Sequence, residues 1–445
     1  MSELSNRVDH YKDLLKNTFD FIWTHPETGY KEWQTHARLA QDFRDLGYTL
    51  VEAGDIPGFY ADLDTGRPGP CVLVMGELDA LNMPNHPEQV EGKAHACGHC
   101  AQATALLGIA AALAEPGALD GLCGKIRLMA VPAEELIEIE YRDKLRKEGK
   151  IHYFGGKPEF MRRGLMDGVD MAVMIHTASM LPPHTGRING GSNGMVAFTA
   201  TFHGVASHAG GAPQNGVNAL YAATQALSAI NALRETFPDD DHIRVHPIMP
   251  AGGAAVNIIP DTAVLESFVR GADMDMVLKV KKKVDRAIAG SAAAIGAGVT
   301  ISTRPGYFVR KDEPGMDLVM KAAMEDVLET VLYEPDSWGS GSTDMGDITA
   351  VMPALHPYIS GASGHGHGND YCISSFDSAV MDSAKVQVRF VELLLENGAA
   401  RAKEILANFK PVFATKEDYF AAMDAMTSDK DAVIYNEDGT VTLDV

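Results

Sequence analysis

Residue types that bind divalent metals are concentrated in a few short segments of this chain. The segment Lys93–Cys100 reads KAHACGHC and offers Cys97 and His99, a thiol and an imidazole separated by one glycine. Thiolate and imidazole suit borderline-soft divalent ions, and a loop containing glycine can turn both side chains inward. Taken alone, the segment is equally typical of a reactive C-x-x-C pair, Cys97 and Cys100.

Two adjacent carboxylates follow in the segment VPAEE, as Glu134 and Glu135. Hydrolysis by an activated water needs one carboxylate on the metal and a second beside the water. The metal lowers the pKa of the water to ~7, and the second carboxylate carries its proton to the leaving amine. An isolated Glu-Glu pair is also typical of a solvated acidic surface.

Histidines in two further segments complete the candidate donors. His176 follows an apolar run in the sequence IHTAS, and His365 and His367 lie in GHGHGNDY. A single histidine at the end of a strand is usually structural, and short histidine-rich tracts can bind metal adventitiously. The pattern therefore depends on whether the fold brings these segments together.

Apolar runs of strand length precede most of these donors. Open α/β sheets place ligands beyond the carboxyl ends of their strands, and Asp79, Glu135 and His176 each follow one such run. We therefore expect an α/β fold in which a mixed sheet carries the metal site at one edge. The predicted buried strands are Pro70–Met75, Lys125–Val131 and Met171–Ile175, and Ala101–Ala114 is predicted to form a buried helix.

The sequence texture changes near residue 190. Gly191–Gly194 is typical of a linker, and Val196–His203 alternates apolar and polar residues as a half-exposed antiparallel strand does. The second texture ends at Pro305–Lys311, a predicted return linker. We predict that residues 1–190 and 308–445 form the catalytic metal-binding domain and that residues 191–307 form a smaller inserted α+β domain.

Composition excludes several classes of partner. The formal net charge of −22 argues against nucleic acid and anionic membrane as main partners. The N-terminal residues are polar, without the apolar core of a signal peptide, and Ala101–Leu113 is too short to span a bilayer. Five cysteines, an odd number in a long chain, favour reduced thiols. We therefore expect a cytoplasmic protein that acts on a small molecule.

The order of the motifs resembles the M20 family of metallopeptidases and amidohydrolases. HACGH, PAEE, IHT, SHAGG-P, NIIPD with a later arginine, STDMGD and a late histidine occur in that order, between about His25 and Leu395. The pattern is most similar to the M20D branch, near the aminobenzoyl-glutamate hydrolases and the M20 dipeptidases. The resemblance implies a catalytic α/β domain, an inserted dimerisation domain, and a homodimer or larger homo-oligomer.

The resemblance also implies the ligand set. Cys97 would bridge two divalent metals, with manganese or zinc favoured, although Cys100 leaves open whether one or two ions bind. Glu135 and the late histidine would complete one metal, and His99 and His176 the other. His367 matches the late histidine through HGNDY, with His365 as the alternative.

Further roles carried by the resemblance concern catalysis and substrate. Glu134 would be the general base and acid, and Asp79 in ELDAL would orient a metal-binding histidine. His208 in SHAGGAP would stabilise the developing oxyanion in the site of the partner subunit. Asn257 and Arg270 match positions that contact substrate, and an arginine suits a substrate carboxylate.

Two features depart from the family pattern. Cys100 stands where the family usually has aspartate or asparagine. The stretch Glu138–Met161 is longer than in typical M20D members, resembles the insertion of the aminobenzoyl-glutamate group, and is predicted to shape the pocket.

These observations lead to one main hypothesis and two alternatives. The main hypothesis is metal-dependent hydrolysis of the amide C–N bond of an N-acyl or N-aroyl amino acid or a small dipeptide, with Glu134 as general base. One alternative is an aminohydrolase that removes the amine of a substituted aromatic compound such as nitroanthranilate. The other is a non-catalytic metal-binding partner on the same fold.

Overall fold

The computed structural model describes residues 2–445, which divide into two compact units. The first unit contains the chain up to Gly191 together with Arg310–Trp338 and Thr343–Ala414. The second contains Ser192–Val309, Gly339–Ser342 and Thr415–Val445. Both units combine helices with sheets, which confirms the predicted α/β fold class with its mixed sheet.

A six-stranded mixed sheet is the centre of the first unit. Strand Cys71–Glu77 is buried at every position and has parallel neighbours on both sides, as expected for a strand covered on both faces. Two outer strands run antiparallel to this set. The order across the sheet is Val51–Glu52, Phe59–Asp64, Lys125–Val131, Cys71–Glu77, Met171–Val173 and Ala354–Leu355.

Helix His99–Ala114 is the central helix of this unit, and His99 to Leu113 are all buried. It packs against strand Cys71–Glu77 and against helices Lys12–Thr24 and Ser383–Leu395. The helix is apolar around its circumference because it is enclosed by other elements. The other helices of the unit are Glu3–Asn6, Trp33–Asp45, Ile139–Lys147, Gly156–Arg162, Pro314–Val327, Met345–Val351 and Ala400–Asn408.

A second sheet of the first unit carries two of the histidine segments. Its central strand Tyr358–Ser363 pairs in parallel with His176–Ser179 and leads into the loop that contains His367. A short hairpin formed by Leu81–Asn82 and Lys93–Ala94 precedes the HACGH loop. The other strands of the sheet are Arg310–Lys311, Thr185–Ser192, Thr330–Gly339 and Cys372–Ile373.

The second unit is built on an antiparallel sheet. Strand Thr262–Gly271 alternates buried and more accessible positions, and helices Ala219–Leu233 and Met274–Ile295 pack against it. A shorter helix, Lys416–Ala425, belongs to the same unit. The order across the sheet is Arg244–Val245, Thr262–Gly271, Gly194–His203, Gly298–Tyr307 and Ser428–Asp431, and Ile248–Ala251 also pairs with Thr262–Gly271.

Two short pairs complete the strands of the second unit. Ser207–His208 pairs with Ile258–Ile259, and Val433–Tyr435 pairs with Val441–Leu443. Within residues 2–445, no helix is both long enough and apolar enough to cross a membrane.

The predicted linker Gly191–Gly194 is wrong as a description of local structure. Strand Thr185–Ser192 runs through its start, and strand Gly194–His203 begins at its end. A side chain at Gly191 would collide with the carbonyl oxygen of Arg310. The glycines therefore allow close approach of strands, rather than flexibility.

The C-terminal residues also differ from the expectation, which assigned all of 308–445 to the first domain. Thr415–Val445 belongs to the second unit, because Ser428–Asp431 pairs with Gly298–Tyr307. The strand sequence is SDKD, with no apolar residue. Alternation of apolar and polar residues therefore gives no signal for this edge strand.

Candidate metal centre

The loop that contains Cys97 is shaped by a glycine and leads directly into a helix. Gly98 has a φ of +97° and precedes helix His99–Ala114. A Cβ atom at this position would collide with the hydroxyl groups of Thr177 and Tyr371. Only glycine therefore lets the loop turn the side chains of Cys97 and His99 towards the same point.

Cys97, His99 and His176 form a first cluster of donors, whose ligand atoms all lie within 4.8 Å of one another. Sγ of Cys97 is 3.2 Å from Nε2 of His176. Nδ1 of His176 donates a hydrogen bond to the carbonyl oxygen of Thr177 at 2.6 Å. This bond leaves Nε2 as the lone-pair nitrogen that faces the thiol.

Cys97, Glu135 and His367 form a second cluster with the same 4.8 Å limit. Oε1 of Glu135 is 3.0 Å from Nε2 of His367. His367 has a φ of +62°, and its backbone N–H donates to the carbonyl oxygen of Ala96 at 2.9 Å. This bond holds the histidine loop against the loop that carries Cys97.

His365 does not join these donors. Its side chain is exposed, and its Nδ1 lies 2.8 Å from a carboxylate oxygen of Asp370. The structure therefore brings His367, and not His365, next to Glu135.

Cys97 belongs to both clusters and is the residue that they share. Burial and the Glu135 carboxylate oppose ionisation of the thiol, but the imidazoles of His99 and His176 outweigh them and lower the pKa of Cys97 to about 6. The side chain is then a thiolate near neutral pH, which is the form that binds metals.

Asp79 connects the two clusters through its carboxylate. Oδ1 accepts a hydrogen bond from Nδ1 of His99 at 3.0 Å, and Oδ2 accepts one from the backbone N–H of Glu135 at 2.9 Å. Asp79 is fully buried. It fixes the tautomer of His99 and the position of Glu135 at once.

Glu134 lies between these donors and a group of acidic side chains. Its carboxylate clusters with His99 and Glu135, and also with Glu77 and Asp344. Burial raises the pKa of Glu134 well above its ordinary value, and the negative charges of Glu77, Glu135 and Asp344 raise it further. A carboxylate with a raised pKa holds a proton more readily than an ordinary glutamate, which suits a proton shuttle.

The donor set fits a divalent metal. Nε2 of His99 and Oε1 of Glu135 are buried and have no hydrogen-bond partner among the residues that the structure describes. Buried polar atoms usually have partners, and a bound cation would satisfy both. One thiolate, three imidazoles and a carboxylate suit zinc or manganese.

Three charged residues near Glu134 were not predicted as site residues. Lys157 is fully buried and ion-paired to Glu77 and to Asp344. Glu77 follows an apolar run, which was the one signal in the sequence. The pairing of Lys157 with Asp344 spans 187 residues of the chain and leaves no local pattern.

Cys100 is in none of the donor clusters of the described chain. It belongs to the hydrophobic core of the first unit, and burial raises the pKa of its thiol to about 12. The thiol therefore stays protonated, unlike that of Cys97.

The predicted residues of the second unit lie in two places. His208 and Asn257 are neighbours and both exposed, since the backbone N–H of Ala209 donates to the carbonyl oxygen of Asn257 at 3.0 Å. Arg270 lies on strand Thr262–Gly271, half-buried, with its guanidinium 5.2 Å from the ring centre of Phe268.

Comparison with known sequences finds hydrolases of amide bonds. Residues 190–294 match the model of a peptidase dimerisation domain. The chain is 30% identical to indole-3-acetyl-aspartic acid hydrolase of Enterobacter agglomerans, over 62% of this chain and 70% of that protein. It is 31% identical to one of the subunits of p-aminobenzoyl-glutamate hydrolase of Escherichia coli, over 67% and 76%. It is 28% identical to the Xaa-Arg dipeptidase of Mus musculus, over 80% and 78%.

The fold is also similar to solved structures. A protein of Bacillus subtilis, described as a dinuclear metal-binding peptidase from the M20 family, superposes with a TM-score of 0.63 at 19% identity. The match covers 87% of this chain and 99% of that chain. At this identity, the similarity shows a shared fold.

Proposed function

Because the chain belongs to the M20 family of metallopeptidases and amidohydrolases, we propose that it hydrolyses the amide C–N bond of an N-acyl or N-aroyl amino acid or a small dipeptide. The observation that carries this proposal is the position of Glu134. Its carboxylate clusters with His99 and with Glu135, beside the donors of a two-ion centre.

The substrate class is supported by what the relatives have in common. Indole-3-acetyl-aspartic acid and p-aminobenzoyl-glutamate each contain an acyl group joined by an amide to an amino acid, and an Xaa-Arg dipeptide has the corresponding bond. In each, the amino acid on the leaving side has a free carboxylate. We propose that Arg270 binds this carboxylate and that Asn257 contacts the substrate beside it.

The metal ligands are proposed from the two donor clusters. His99 and His176 hold one divalent ion, Glu135 and His367 hold the other, and the thiolate of Cys97 lies between them. We propose zinc or manganese as the metal. When bound, such ions acidify a water molecule and polarise the carbonyl group of the substrate.

The protein side chains then move the proton. Glu134 takes it from the attacking water and delivers it to the leaving nitrogen, a transfer that its raised pKa favours. Asp79 keeps the donor nitrogen of His99 turned away from the centre, because it accepts the hydrogen bond from Nδ1. His208 is proposed to stabilise the oxyanion in the site of the partner subunit, as the SHAGGAP motif suggests.

The oligomer and the compartment are part of the proposal. The match of residues 190–294 to a peptidase dimerisation domain supports a homodimer. A cytoplasmic location is supported by Cys97, since a thiolate ligand requires reducing conditions, and by the five cysteines, which are all free thiols in the described chain.

The proposal is tested by metal-dependent turnover on a defined panel. The protein is stripped of metal, reloaded with Mn²⁺ or Zn²⁺, and incubated with N-acetyl, N-benzoyl and N-indoleacetyl amino acids and with dipeptides. Mass spectrometry should detect an acid and an amino acid only in reloaded samples. Release of ammonia from aromatic amines, with every amide intact, would overturn the proposal in favour of an aminohydrolase.

A further inference from the structure

A buried lysine is enclosed by carboxylates next to the proposed general base. Lys157 has no exposed side-chain surface, and its Nζ lies 2.5 Å from Oε1 of Glu77. The same ammonium group forms an ion pair with Oδ1 of Asp344. The backbone N–H of Lys157 donates to Oδ2 of Asp344 at 3.0 Å. The lysine and the aspartate are therefore joined at two points.

Glu134 is the third carboxylate of this enclosure. One oxygen from each of Glu77, Glu134 and Asp344 lies within 4.8 Å of the others. Three carboxylates at this separation repel one another strongly inside a protein, where charges are poorly screened. The ammonium of Lys157 is the positive charge that the structure places among them, and its attraction keeps two of the three carboxylates in place.

The enclosure also adjoins the metal donors. Glu77 uses Oε1 for Lys157, and its Oε2 lies 3.1 Å from Nε2 of His99. Glu77 is buried, so its position is set by these two neighbours. Removing the ammonium would release Glu77 and Asp344 from their fixed positions on one side of Glu134.

The local sequence explains how the lysine reaches this point. Lys157 lies at the start of helix Gly156–Arg162, within the segment Glu138–Met161 that distinguishes this chain from shorter family members. A Cβ at Gly156 would collide with the carbonyl oxygen of Pro132, in the turn that carries Glu134. The glycine therefore lets this helix approach the turn closely enough for Lys157 to enter the enclosure.

We infer that Lys157 is a positioning residue for hydrolysis, whose ammonium holds Glu77 and Asp344 so that the carboxylate of Glu134 stays aligned for proton transfer. The inference rests on the proposed function and extends it to a residue outside the metal ligands. It also gives the segment Glu138–Met161 a role in the chemistry, in addition to the predicted role in shaping the pocket.

The test separates positioning from folding by comparing variants of similar charge. Lys157→Met alone leaves buried carboxylates without compensation and is expected to lower the melting temperature. We therefore compare Asp344→Asn with the double variant Lys157→Met/Asp344→Asn. The double variant has one fewer carboxylate and no ammonium, so the enclosure has the same net charge as in the natural protein.

The expected result is a loss confined to kcat. Relative to Asp344→Asn, the double variant should lose about 100-fold in kcat, because misplacement of a catalytic group by about 1 Å costs this much. KM and bound metal, measured by mass spectrometry of the metal, should stay the same. Lys281→Met is the matched control, since Lys281 is another buried, ion-paired lysine, in the second unit. It should lower the melting temperature and leave kcat unchanged.

Two results would overturn the inference. A double variant whose kcat equals that of Asp344→Asn would show that Lys157 only stabilises the fold. A double variant that loses bound metal together with kcat would show that Lys157 acts on the metal ligands and not on Glu134. Failure of the natural protein to cleave any amide would instead contradict the proposed function, so the two failures are distinguishable.

Discussion

Asp79 accepts a hydrogen bond from Nδ1 of His99 at 3.0 Å, and its second carboxylate oxygen accepts one from the backbone N–H of Glu135 at 2.9 Å. One buried carboxylate therefore orients a donor in each cluster of the candidate metal centre. The arrangement explains why an aspartate, and not a longer glutamate, follows the strand Cys71–Glu77 at this position.

Replacement of this carboxylate should weaken metal binding. In Asp79→Asn, the amide cannot accept both hydrogen bonds with a full negative charge, so the His99 tautomer is less well fixed. We expect metal affinity to fall by about 10–100-fold, as for other carboxylates that hold a metal-binding histidine. Competition with a chelator of known affinity measures the change. Asp62→Asn, which alters a partner of Arg127 in the central sheet, is the control. Unchanged affinity in Asp79→Asn would contradict the orienting role.

The two histidines of the late loop should behave differently, although they are two residues apart. His367→Ala removes a donor that lies 3.0 Å from Glu135, and we expect loss of one metal equivalent and at least a 100-fold loss of kcat, on the order of the effect of removing one group that stabilises the transition state. His365→Ala removes only an exposed side chain paired with Asp370, and we expect nearly normal turnover. Metal content and kcat of both variants decide the assignment. The opposite result would assign the ligand to His365.

The dependence of activity on pH should report the charges around Glu134. A general base must be ionised, so kcat/KM falls as the pH drops through its pKa. Burial raises the pKa of Glu134 most, and the Glu77 charge raises it further. Glu77→Gln removes a negative neighbour, so the pKa of Glu134 should fall and the acidic limb of the profile should move to lower pH. A limb that stays in place, with metal held at saturation, would show that Glu134 does not set it.

His208 gives a test of the proposed assembly. The SHAGGAP resemblance implies that this histidine acts in the site of a partner subunit. Glu134→Gln and His208→Ala homodimers should both be inactive. After subunit exchange, a mixed dimer should regain about half of the normal activity per site pair, because one site then has both groups. No recovery in dimers that have demonstrably exchanged would place His208 in the site of its own chain, or outside catalysis.

Much of the candidate site could be predicted because its donors follow apolar strands. Strands Cys71–Glu77 and Lys125–Val131 were visible as apolar runs, and the residues after them reach one edge of the sheet. Lys157 and Asp344 could not be predicted in this way, because their pairing depends on tertiary packing alone. The polar edge strand Ser428–Asp431 was missed for a related reason, since backbone hydrogen bonds form it and its side chains are mostly exposed.

The most direct test of the central claim compares two neighbouring residues, Glu134 and Glu135. Proton transfer is assigned to the first and metal binding to the second. Glu134→Gln should therefore keep its full metal content and lose about 1,000-fold or more in kcat, whereas Glu135→Gln should lose bound metal as well. Metal content and turnover of both variants are measured on the same preparation. Near-normal turnover in Glu134→Gln, with metal bound, would contradict the assignment.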